Sequence, residues 1–168
     1  LTAESARKPG YVEAFRRETE AVAALDHPGI VRVYDYGIIG EQAVDAVEDL
    51  VEGSPYFVME LAECSLAKGA PILNYGDLRD VAVGLMSALG HAHSRGLVHR
   101  DIKPANLLML SMENHRAGPG LPGLVLSDFG IAHEARDGDA PTVDASCGTP
   151  GYMAPEQFYG AWRDFGPW

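Results

Sequence analysis

The chain has 168 residues, 46% of them hydrophobic, which suits one ordinary globular unit or a large piece of one. Its 13 Lys and Arg stand against 24 Asp and Glu, a formal net charge of -11, and so acidic a surface repels phosphate backbones and argues against generic nucleic-acid binding. Cys64 and Cys147 lack any CxxC-type partner, no apolar run approaches the roughly 20 residues that span a bilayer, and Leu1-Thr2-Ala3-Glu4 does not open a signal peptide.

Val12, Phe15, Val22 and Leu25, with charges between them, predict an amphipathic helix over residues 11–25. His27-Pro28-Gly29 is expected to stop it, because proline disfavours helix in the residue before it. Ile30 to Tyr36 alternates and is rich in β-branched and aromatic residues, which predicts a strand, and Tyr56 to Leu61 predicts the next. Glu41, Asp45, Glu48, Asp49 and Glu52 mark an acidic excursion between them. Leu78, Val81, Ala82, Leu85, Leu89 and Ala92 fall on one helical face, and Gly96 is expected to end that helix. Two short apolar pieces, Leu107 to Leu110 and Leu124 to Ser127, flank a Gly/Pro-rich loop over Ala117 to Gly123. Residues 133–150 have no periodicity and read as a long loop, a class that is usually functional or disordered.

The chemistry-bearing stretch is His99-Arg100-Asp101-Ile102-Lys103-Pro104-Ala105-Asn106, which gathers a carboxylate, an amine and an amide within six residues. Asp128-Phe129-Gly130, Gly148-Thr149 and Ala154-Pro155-Glu156 follow. A single tripeptide recurs by chance, but this order, spread over nearly the whole chain, resembles the protein kinase family. Lys103 and the Pro155-Glu156-Gln157 run resemble its serine/threonine branch, and the bacterial type in particular.

That resemblance implies an α+β fold of the protein-kinase type. Residues 1–62 would be a remnant of the small lobe and hinge, a helix plus a few antiparallel strands. Residues 63–168 would be the upper part of the helical large lobe, with catalytic loop and activation segment. It implies transfer of the γ-phosphate of ATP, with Mg²⁺, to Ser or Thr of a protein substrate. Asp101 matches the carboxylate facing the substrate hydroxyl, Lys103 the amine on the γ-phosphate, and Asn106 and Asp128 the Mg²⁺ ligands. Glu18 matches the helix glutamate that pairs with the ATP-anchoring lysine, and Met59 the residue at the back of the adenine pocket. The carbonyl of Glu60 and the N–H of Ala62 match the adenine hydrogen-bonding pair. Val22, Val33, His99 and Phe129 match a stacked apolar spine. Arg100 matches the arginine that pairs with a phosphorylated activation-loop residue, for which Thr142 and Ser146 are the candidates. Thr149 matches the threonine that braces the catalytic loop.

The pattern also departs from the family. No Gly-x-Gly-x-x-Gly loop or Val-Ala-Ile-Lys-like strand occurs, the Asn106 to Asp128 interval is longer than usual, and Glu63-Cys64-Ser65-Leu66 lacks the glycines common there. The expectation is a kinase domain truncated at both ends, binding ATP weakly or not at all in isolation, with a cytoplasmic location. Two other classes fit the same residues: a pseudokinase-like binding module, and a non-functional truncated product.

Overall fold

The computed structural model describes residues 11–41, 51–69, 73–129, 149–158 and 166. They fall into two compact units. One takes in the described residues of 11–24 and 32–60, and the other those of 25–31, 61–129 and 149–168.

In the first unit, α1 (Tyr11–Ala23) faces an antiparallel pair, β1 (Val33–Ile38) and β2 (Pro55–Met59). Phe15, Thr19 and Val22 recur at helical spacing and are buried together, and the Phe15 ring meets Phe57 at 6.4 Å. The opposite face carries Arg16, paired with Glu13 and Glu20. The first strand begins later than the alternation predicts. Ile30 and Val31 are spent elsewhere: Val31 N–H donates to Leu126 and the Gly29 carbonyl accepts from Leu126 N–H, a short parallel match inside the second unit. The second strand runs from Pro55 to Met59 rather than to Leu61, and Glu60 N–H closes it on the Arg32 carbonyl at 2.9 Å.

The second unit is built on α2 (Tyr75–His93) and the antiparallel sheet β3 (Ala62–Ser65), β4 (Leu107–Leu110), β5 (Leu124–Leu126), in that order. A reciprocal cap starts α2: Asn74 Oδ1 accepts from Asp77 N–H and Asp77 Oδ2 from Asn74 N–H. The buried helix face is rotated from the predicted one. Ala92 lies inward as predicted, together with Gly84 and Ala88, whereas Leu78 stands largely exposed. Small residues win because backbone comes close there. The Pro119 carbonyl and Gly120 crowd Gly84, and Gly29 lies against the Ala88 methyl. The Gly/Pro loop is thus packed onto the helix, with Leu121 N–H donating to the Asp80 carbonyl at 3.2 Å. His27 fixes the 25–31 segment to the same helix through Ser87 Oγ at 3.0 Å, while its Nδ1 accepts from Gly29 N–H. The core between helix and sheet gathers Ile30, Val31, Leu107, Leu110 and Leu124–Leu126.

Candidate active site

The segment after α2 runs in extended and turn conformation through residues 97–103 and closes in a 3-10 turn, Pro104–Asn106, that leads into β4. His99 anchors it. The ring is 1% exposed, lies against Phe129 at 4.7 Å, and meets the Ser127 carbonyl through Nε2 at 2.7 Å. A carbonyl only accepts, so Nε2 carries the proton, and Nδ1 accepts from Asp101 N–H at 3.2 Å. Burial holds this imidazole below its ordinary pKa, and so neutral. Ser127 in turn donates its N–H and its hydroxyl to the Asn106 carbonyl. Histidine, serine and asparagine therefore tie the loop to the end of β5.

On this frame one carboxylate collects four donors. Asp101 Oδ2 accepts from Lys103 Nζ at 2.6 Å and Asn106 Nδ2 at 3.1 Å. Its Oδ1 accepts from the N–H and the hydroxyl of Thr149, both at 3.1 Å. Lys103 Nζ also donates to Thr149 Oγ1 at 2.7 Å, and Asn106 Nδ2 to the Asp101 carbonyl at 2.8 Å. Burial alone would raise the Asp101 pKa, but the hydrogen bonds from Lys103, Thr149 and Asn106 outweigh it and hold the group below the ordinary carboxylate value. Asp101 is thus ionised, directed and half-buried.

A protein kinase domain model matches residues 2–163. The chain belongs to the protein kinase domain family. It is 36% identical over 167 residues to a probable serine/threonine-protein kinase of Streptomyces coelicolor, covering 95% of this chain and 22% of that protein. It is 35% identical over 167 residues to the serine/threonine-protein kinase PknB of Mycobacterium tuberculosis, at 95% and 24% coverage. Among solved structures, the kinase domain of Mycobacterium tuberculosis PknI superimposes with a TM-score of 0.56 at 27% identity, over 85% of this chain and 50% of that one. The chain thus has a protein-kinase-like fold and spans less than a quarter of the length of these two curated relatives.

The other positions singled out in the kinase motifs lie as follows. Asp128 is exposed, directly after Ser127, with its backbone in the left-handed region at φ 55. Arg100 shares that conformation at φ 66. Met59 ends β2 and Ala62 opens β3. Glu60 is buried, and its side chain accepts from Arg32 N–H. Val22 is buried on α1, Val33 opens β1, and the His99 ring lies tilted against Phe129. Glu18 falls within α1, but its side chain lies outside the described residues, as do Thr142 and Ser146. The contacts of two positions had escaped sequence reasoning. Ser127 carries the link between His99 and Asn106, and its signal was a lone serine closing an apolar strand ahead of Asp128. Gln157 donates to the Arg100 carbonyl at 2.6 Å, and its signal was the polar residue directly after Ala154-Pro155-Glu156.

Proposed function

We propose that the chain is catalytic machinery of a serine/threonine protein kinase, which transfers the γ-phosphate of ATP to a Ser or Thr hydroxyl of a protein. Residues 1–62 would supply part of the small lobe and the hinge, and residues 63–168 the upper part of the large lobe. The observation that carries the reading is the Asp101 carboxylate, held ionised by Lys103 and Asn106 of its own loop and by Thr149 from a distant segment.

The chemistry follows from those contacts. Asp101 accepts the hydrogen of the substrate hydroxyl as one of its four present donors gives way, and aims the hydroxyl oxygen at phosphorus. As the oxygen–phosphorus bond forms, the proton passes to Asp101 and the bond to the ADP leaving group breaks. Lys103, already beside Asp101, offers its remaining donor to a phosphate oxygen. The residues fit a hard divalent cation. Both donor contacts of the Asn106 amide nitrogen go to Asp101, which leaves its Oδ1 as an acceptor, and Asp128 is an exposed carboxylate. Mg²⁺ held there would neutralise charge on the phosphates. Glu18, Met59, Glu60 and Ala62 are the proposed nucleotide contacts. Arg100 with Thr142 or Ser146 is the proposed regulatory pair. Among the described residues no helix is long and apolar enough to cross a membrane, and the proposed location is cytoplasmic.

The test is transfer of labelled phosphate to a basic protein by the full-length protein, with nucleotide binding measured alongside. Asp101→Asn should lower turnover by roughly 10²- to 10⁴-fold while leaving Mg-ATP affinity near wild type. Asp128→Asn should weaken metal-dependent nucleotide binding itself. Near-normal turnover in Asp101→Asn would remove the carboxylate from the mechanism.

A further inference from the structure

The peptide unit between Arg100 and Asp101 is held at both polar ends. Its N–H, on Asp101, donates to His99 Nδ1 at 3.2 Å. Its carbonyl, on Arg100, accepts from Gln157 Nε2 at 2.6 Å. The other end of the same amide, Gln157 Oε1, accepts from Ala154 N–H at 3.0 Å. The two contacts demand the same amide orientation, a donor toward Arg100 and an acceptor toward Ala154, so Gln157 fits only one way round.

The unit being held is not at rest. Arg100 sits at φ 66, a region that a non-glycine residue with a long side chain seldom adopts without support. A relaxed Arg100 would rotate this peptide plane, and with it the Cα–Cβ direction of Asp101. The segment that carries Gln157 also carries Thr149, whose N–H and hydroxyl grip the Asp101 carboxylate. Residues 149–157 therefore hold Asp101 twice, by its side chain and by its backbone.

We infer that Gln157 is a positioning residue for phosphoryl transfer: its amide locks the strained Arg100–Asp101 peptide and makes the aim of Asp101 depend on where residues 149–157 lie. The inference rests on the kinase reading of Asp101. Placement of that segment then sets turnover rather than nucleotide affinity, because Gln157 acts on the residue that faces the substrate hydroxyl.

Gln157→Met keeps length and bulk but has neither donor nor acceptor. In the full-length protein it should lower kcat by roughly 10- to 100-fold with the KM for ATP little changed, as expected when a catalytic group is misaimed. Gln157→Glu restores the acceptor for Ala154 N–H but sets a carboxylate against a carbonyl. Its deficit relative to wild type should shrink below about pH 6, where a carboxyl in that position takes up a proton and can donate again. Wild-type kcat in Gln157→Met, in a protein that Asp101→Asn inactivates, would overturn the clamp and leave the kinase reading standing. Absence of transfer by the wild-type protein would overturn the kinase reading. The clamp is then decided by amide hydrogen exchange over residues 99–103. Exchange about 10-fold faster in Gln157→Met, at an unchanged melting temperature, supports it; unchanged exchange overturns it.

Discussion

The catalytic loop and the loop over residues 117–123 both bend the backbone into the left-handed region, and they do so with different residues. Beside the site, the residues at positive φ are Arg100 and Asp128. In the packing loop they are Gly120 at φ 94 and Gly123 at φ 79. Glycine takes that conformation without strain, and it also removes the Cβ that would keep two backbones apart. Arg100 and Asp128 cannot be replaced so cheaply, because each stands where the kinase reading needs a side chain. The site therefore keeps the strain and, at the Arg100–Asp101 peptide, opposes it with a hydrogen bond donated to His99 and one accepted from Gln157, whereas the packing loop avoids strain altogether.

Gly120→Ala should break the packing loop with the largest effect on stability. The new methyl would stand 2.5 Å from the Asp80 carbonyl and from Gly84 Cα, both backbone atoms, on a residue already at φ 94. A loss of about 3 kcal/mol is expected, read as a lower urea midpoint with the unfolding slope unchanged. The Asp101→Asn variant described above should show a different balance, a large loss of turnover with a smaller loss of stability, since an amide cannot accept from all four donors that the carboxylate holds.

Acid sharpens the comparison on the catalytic side. His99 and His27 are both held below the ordinary imidazole pKa, chiefly by burial. Between the unfolded value, about 6.5, and the lower folded values, the unfolded chain binds protons that the folded chain does not. Stability should therefore be full above that window and fall as pH drops through it. Denaturation midpoints between pH 8 and pH 5 would show the slope. His99→Gln should flatten it only in part, since His27 keeps its share.

The smallest expected change is at Asp128. Asp128→Gly relieves the φ 55 conformation but adds chain entropy to the unfolded state, so stability should shift upward by less than about 1 kcal/mol. Metal-dependent nucleotide binding should nevertheless disappear. A variant that is both unaltered in binding and less stable would contradict the view that Asp128 is kept for chemistry against its backbone preference.

Sequence reading captured both long helices and the first two strands in order because each has a local cause, whereas β3 was not read as a strand. The spacing of Phe15 and Val22 gives α1, and the Leu107–Leu110 and Leu124–Leu126 runs are short strands buried in one sheet. The residues brought to Asp101 from within a few positions, Lys103 and Asn106, were legible for the same reason. What escaped depends on backbone approach between distant segments. Side-chain hydrophobicity placed Ala92 correctly on the inner face of α2 but also favoured Leu78, which is exposed, and passed over Gly84 and Ala88, which lie inward because the 117–123 loop and the 25–31 segment need room there. The first strand was misplaced likewise, since nothing local tells Ile30 and Val31 to join β5 rather than β1. Gln157 is invisible to periodicity because its partner is a carbonyl 57 positions away.

The short parallel match of Ile30 on Leu126 makes the second unit discontinuous along the chain. Among the described residues the polypeptide visits the first unit, contributes residues 25–31 to the second, returns to the first over 32–60, and then supplies the rest of the second. No single peptide-bond cleavage can separate two self-sufficient pieces. A fragment starting at residue 61 would lack the partners of both the Leu126 N–H and its carbonyl, and the Arg116 guanidinium would lose the Ile30 carbonyl it meets at 2.6 Å. Closing that match joins residues almost a hundred positions apart, a long loop to close and a late, slow event in folding. β5 would be left without its parallel neighbour only if residues 25–31 were occupied elsewhere, so early engagement of that segment is a route to misassembly.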